Sequence, residues 1–184
     1  MLFGKSKIKV SQLGLNLAEN FNGRVPLDFF KKNVGIDINI SEEDAFLVIL
    51  SMSTFSLNRA MDSIHFDKIL TTEMKHKIID FYFPTTLMKN NIFKSDVGDL
   101  NHYMDKSATT AEKLFDVFNN NLNSSPSPYW YVSKEVFSML DTKSNIPDVF
   151  ALTEIATYMS NELTYFYEFI KKMSKKYNFD VEGF

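Results

Sequence analysis

From Val149 to Met173 the apolar residues Val149, Leu152, Ala156, Met159, Leu163, Phe166, Ile170 and Met173 follow one another at alternating steps of three and four. That interval returns to the same side of an α-helix at every turn, so the segment is expected to be a long helix burying a stripe along its length. Such a stripe either pairs with a second copy in a coiled coil or faces the interior of its own fold. Ile155 and Phe169 widen it on one flank and Tyr167 on the other. A broad face of this kind suits a globular core better than a narrow two-stranded seam. The expectation is a bundle with a buried C-terminal helix, and the alternative is a homodimer using part of the same face.

The rest of the chain follows the same logic. Ser11 can cap a short helix carrying Leu13, Leu17 and Phe21 before Gly23, and Pro26 suits the first turn of a second, with Leu27, Phe30 and Val34 inward before Gly35. Ser41, followed by Glu42, Glu43 and Asp44, marks the clearest helix start, and the early turns of that helix are apolar on nearly every side, as in a central, fully buried element. Thr71 or Thr72 opens a helix through Met88 that Pro84 must kink or split. Ser95 and Asp96 open a longer one, with Val97, Leu100, Met104, Ala108, Ala111, Phe115, Phe118 and Leu122 on one stripe. A polar loop near 119–128 is the candidate internal hinge of what reads as a single helical domain over 1–184. Tyr129, Trp130 and Tyr131 then lead a helix reaching Leu140.

No glycine lies between Gly35 and Gly98, or between Gly98 and Gly183, so the turns that an all-β domain needs are missing. The fold class is therefore all-α, a bundle of about six to eight helices. Three short alternating pieces, 5–10, 36–40 and 177–182, are candidates for a minor two- or three-stranded sheet near the termini. In it Lys5, Lys7 and Lys9 would face Asp37, Asp180 and Glu182.

Charge and composition narrow the function classes. A net charge of -3 supplies no general attraction for polyphosphate, and zero Cys removes disulfides, thiolate metal sites and a cysteine nucleophile. The longest apolar run, Ala45 to Leu50, is far short of the roughly 20 residues that cross a bilayer. Met1-Leu2-Phe3-Gly4-Lys5 lacks the pattern of a secretory signal. No membrane span and a cytoplasmic location are expected.

Each of the three histidines follows an acid by three residues: Asp62 and His65, Glu73 and His76, Asp99 and His102. Pairs of this spacing build di-metal carboxylate sites when they face a bundle axis. At about 100° per residue, however, His76 falls opposite Met74, Ile78 and Phe81, and His102 opposite Val97, Leu100 and Met104. Both should face solvent, so no metal ligand is assigned. The chain has no Gly-x-Ser-x-Gly elbow and no glycine-rich phosphate loop, so no catalytic residue and no cofactor is assigned either.

Residues 11–34 have the outline of a helix-turn-helix, but the second helix sets Asp28, Phe29 and Phe30 beside Lys31 and Lys32, a poor face for a major groove. No nucleic-acid partner is expected. Lys171, Lys172, Lys175 and Lys176 end the long helix, where they complement its dipole. Recognition candidates are aromatic: Tyr129, Trp130 and Tyr131, together with Tyr158 and Tyr165 just off the seam, because tyrosine and tryptophan combine large contact area with a polar tip.

The leading expectation is a non-catalytic protein that binds another protein or itself in an adaptor, immunity or regulatory capacity. A helical-bundle pocket for an apolar small molecule or lipid is the alternative, suggested by 18 Phe, 8 Tyr and 9 Met. A metal-dependent enzyme using the acid and histidine pairs comes third.

Overall fold

The computed structural model describes residues 5–21, 26–36, 38–65, 69–90, 97–140, 142 and 148–181, with backbone only at 33, 65 and 97–100. In chain order they form β1 (Ser6–Lys9), α1 (Val10–Glu19), α2 (Pro26–Phe29), α3 (Glu42–His65), α4 (Thr72–Met88), α5 (Val97–Asn120), α6 (Pro128–Ser138), α7 (Val149–Lys176) and β2 (Tyr177–Asp180). A wider π-type turn over Phe30–Val34 continues α2. It ends at Gly35, whose φ of 72° is left-handed and strained for any side chain.

Helix α3 is the axis of the fold. Ser41 caps it, its hydroxyl accepting from the Asp44 N–H at 3.0 Å and donating to the Asp44 carboxylate at 3.1 Å. Residues 45–57 are buried without interruption, as the all-round apolar pattern requires. On one side Leu50, Leu57 and Met61 join Leu13 and Leu17 of α1, Tyr82 of α4, and Phe166 and Ile170 of α7. On the other, Ile49, Met52 and Phe55 join Leu114 and Phe118 of α5, Val136 of α6, and Leu152 and Met159 of α7. The long helix thus serves both halves of the core, and most of its seam is inward. Val149, the first seam residue, is exposed.

Two close approaches hold helices against one another. Ser51 of α3 and Ser107 of α5 are fully buried with their hydroxyl oxygens 2.9 Å apart, and Ser51 also donates to Leu47 O at 2.7 Å. On the other side, Gly14 of α1 lies against α4. A Cβ there would stand 2.6 Å from the Ile78 carbonyl oxygen and 2.9 Å from the Phe81 Cβ. Backbone cannot yield as a side chain can, so Gly14→Ala is expected to destabilise the protein by about 1–3 kcal/mol through forced separation of α1 and α4. Urea denaturation of the variant measures this, and an unchanged midpoint would mean the helices are not in register there.

The terminal alternating pieces do pair. β1 and β2 are parallel, with Lys7 opposite Asn178 and Lys9 opposite Asp180. Lys7 and Asp180 form an ion pair at 3.0 Å, and Lys5 donates instead to the Ser174 carbonyl at 2.8 Å. Asp37 and Glu182 lie outside the described residues. The middle piece does not join this sheet: Ile38 makes an isolated antiparallel bridge to Thr142. Ile36, Ile38 and Ile40 spend their apolar side chains on the core beside α3 instead.

Two further expectations are refined. Helix α4 continues through Pro84 as one element, although Pro84 offers no N–H to the Asp80 carbonyl. Helix α5 runs through the first residues of the polar stretch to Asn120, and Ser127 then caps α6 by accepting from the Trp130 N–H at 3.3 Å. Gly23 and the expected caps Ser95 and Asp96 lie outside the described residues. Among the described residues no helix is long and apolar enough to cross a membrane.

Candidate ligand-binding cleft

The apolar stripe read along α5 is divided in the structure. Of its members Ala111 and Phe118 are buried and Leu122 is exposed, while Ser107 and Leu114, outside the stripe, are buried as well. Met104, Ala108 and Phe115, with Ala111, help to wall a cleft of about 730 Å³ between α3, α4 and α5. Ile79, Phe83 and Pro84 of α4 complete its apolar surface. Helix α3 contributes Thr54, Asn58 and Asp62, a polar stripe at steps of four on an otherwise buried helix.

The polar lining is acidic. Asp62, Asp80, Asp105, Glu112 and Asp116 all border the cleft. Asp62 is neutralised by Lys75 at 2.8 Å and Arg59 at 3.5 Å. Among the described residues the other four have no cation within ion-pair distance. The lysines of α5 that could have served them are engaged elsewhere, Lys106 with Asp44 and Lys113 with Glu135. The hydrogen bond from Lys106 holds the Asp44 carboxyl below its ordinary range. Glu112 and Asp116, one turn apart, repel one another without compensation. Thr54 is only 4% exposed and its hydroxyl is buried without a partner.

Away from the cleft, a second polar group interrupts the core. The seam residue Leu163 packs against the core as expected, and its neighbour Glu162 is partly buried beside it. The Ser53 hydroxyl donates to Glu162 Oε2 at 2.7 Å and lies 2.8 Å from the Tyr82 hydroxyl. Burial raises the Glu162 carboxyl above its ordinary range, against the opposing Ser53 hydrogen bond. Burial likewise pushes the Tyr82 and Tyr158 hydroxyls well up. The cluster separates the part of α7 that carries Met159 from the part that carries Phe166.

The aromatic recognition candidates are spread over two helices. Tyr129, at the start of α6, packs its ring 5.2 Å from Phe118 and 6.2 Å from Phe55. Trp130 and Tyr131 are half-buried, with the Lys134 ammonium 5.9 Å and 5.7 Å from their rings. The Tyr131 hydroxyl donates to Ser125 O at 2.8 Å. On α7, Tyr158 sets its ring 4.8 Å from Phe29 and its buried hydroxyl has no partner. Tyr165 is 39% exposed, beside Phe166 and Phe169. None of the five lines the cleft. Because the Tyr158 hydroxyl is desolvated for no return, Tyr158→Phe is expected to leave stability unchanged or to raise it by about 0.5–1.5 kcal/mol. Thermal denaturation checks this, and a clear loss would mean the hydroxyl holds a partner in solution.

His76 and His102 are exposed, as their helical phase requires. The side chains of His65 and Asp99 lie outside the described residues. Among the described residues no three His, Asp or Glu converge to hold a metal ion.

The cleft acids escaped the sequence reading, although a signal was present. Asp105, Glu112 and Asp116 recur with Ala108 at helical intervals, a surface in which carboxylates border a small residue that leaves room beside the backbone. Compared with protein-family models, with curated proteins and with solved structures, the chain finds no match.

Proposed function

We propose that this is a non-catalytic helical protein that works by binding another protein, in an adaptor, immunity or regulatory capacity. The observation that carries this reading is the cleft between α3, α4 and α5, where an apolar surface is bordered by four carboxylates with no cation within ion-pair distance among the described residues. Unpaired like charges around an opening disfavour the empty state and favour a partner that brings the opposite sign. Native mass spectrometry of the protein taken directly from cells tests the reading. A stoichiometric protein complex supports it, and a bare monomer at cellular concentration counts against it.

A second reading, a pocket for an apolar small molecule or lipid, draws on the size of the cleft, which lies within the range of small-ligand sites. The carboxylate border disfavours it, because a neutral apolar ligand leaves those charges without a counterpart. Retained small-molecule mass in the same spectrum would favour this second reading over the first.

A further inference from the structure

Three properties of the cleft describe its occupant. The polar groups it presents are mostly acceptors: four carboxylates with no cation within ion-pair distance among the described residues, beside the Asn58 amide, which both donates and accepts. The Thr54 hydroxyl, buried and unpartnered at the α3 wall, adds a group that can both accept and donate. The occupant must therefore bring donors and positive charge. It must also bring apolar surface, since Phe83, Met104, Ala108 and Phe115 form much of the wall. Finally, the charges form a row. Asp105, Glu112 and Asp116 are spaced along one face of α5, so the row extends roughly 16 Å at the rise of an α-helix.

From this juxtaposition the geometry points to a docking groove for a basic amphipathic helix of a partner protein, its apolar face against Phe83, Ala108 and Phe115 and its lysines or arginines along Asp105, Glu112 and Asp116. A single amine satisfies one carboxylate and leaves the rest of the row unpaired. A helix lying in the groove presents cations at the same intervals as α5 presents anions, which is the helix-in-groove mode of recognition. The proposal rests on the protein-binding reading above and names the chemistry of the partner.

The test uses the full chain and defined probes. A labelled peptide of about 18 lysine and leucine residues, long enough to span the row as a helix, is titrated by fluorescence anisotropy. It is compared with a shuffled peptide of equal composition, with an acidic counterpart, and with spermine and dodecylamine as competitors. The expected result is saturable binding of the amphipathic basic peptide alone. Its affinity should fall steeply with salt and drop about tenfold or more in the Glu112→Lys, Asp116→Lys double variant. Ala108→Trp, which fills the cleft from an exposed position and leaves the charges in place, should weaken binding comparably; melting curves show that each variant is folded.

Absence of binding, equal binding of the shuffled or acidic peptide, indifference to both variants, or displacement by spermine or dodecylamine at matching concentration each overturns the proposal. Its failure is distinguishable from that of the broader reading. A stable cellular complex unaffected by either variant removes the groove assignment and leaves protein binding intact. Peptide binding at the groove with only monomer in cells removes the broader reading.

Discussion

Replacing Phe55 by alanine is expected to cost about 3–5 kcal/mol, the largest effect of any single substitution considered for this protein. Phe55 is fully buried on α3. Its ring lies 6.1 Å from Phe115, 5.7 Å from Phe118 and 6.2 Å from Tyr129, so one side chain joins α3 to α5 and α6. Phe118 and Tyr129 also meet each other at 5.2 Å, nearly perpendicular, which completes an aromatic cluster. Truncation removes the hub of that cluster and leaves a void that neighbouring helices can only partly close. For a chain of this length the loss corresponds to a fall of about 6–20 °C in melting temperature.

Phe55→Leu keeps most of the apolar volume and should lose less than half as much. The consequence extends to function, because Phe115 is both a neighbour of Phe55 and a wall of the cleft. At a temperature where Phe55→Ala is still folded, peptide binding at the cleft should therefore weaken. Calorimetry of the two variants checks the ordering, and equal melting temperatures would show that the cluster is not the joint between these helices.

What could be read from the residues alone depended on whether one helix was enough to reveal it. The seam of α7, the cap at Ser41 and the burial of the early turns of α3 are local patterns, and the structure contains all of them; the pairing of Lys7 with Asp180, 173 residues apart, followed instead from matching the alternation and charge of the two terminal pieces. Position within a stripe was harder. The three-and-four spacing puts Leu163 on the seam, and Leu163 does pack against the core, but the spacing says nothing of its polar neighbour. Glu162 is drawn partly inward because Ser53 of α3, itself 2.8 Å from the Tyr82 hydroxyl of α4, donates to its carboxylate. The stripe read along α5 included Ala108 and left out Leu114, whereas Ala108 opens onto the cleft and Leu114 is fully buried. A cleft exists only where neighbouring helices diverge, and no single helix encodes that divergence.

The polar cluster at Glu162 yields the second large expectation, with opposite signs for two substitutions. The one proton of the Ser53 hydroxyl goes to the Glu162 carboxylate, so the Tyr82 hydroxyl is the donor in the other bond. Ser53→Ala takes a partner from both groups in a region where water is scarce. Leaving two buried polar groups unsatisfied, one of them able to carry charge, is expected to cost about 2–5 kcal/mol. Glu162→Gln acts differently, because it retains an acceptor for Ser53 and abolishes the charge. Burial raises the folded-state carboxyl above its unfolded value, so the protonated form is the one the fold prefers. The stability associated with this group is fully present below the unfolded value, near pH 4.3, and is lost as pH rises through the folded value. Wild type and Glu162→Gln should therefore match in acid, and the variant should be the more stable at neutral pH. The penalty of Ser53→Ala should grow over the same interval, because the lost hydrogen bond favours the ionised form. Urea titrations of the three proteins from about pH 4 to pH 8 follow all of this at once. A Glu162→Gln protein less stable than wild type at neutral pH would show instead that the carboxylate is ionised in place and held there by the hydrogen bond from Ser53.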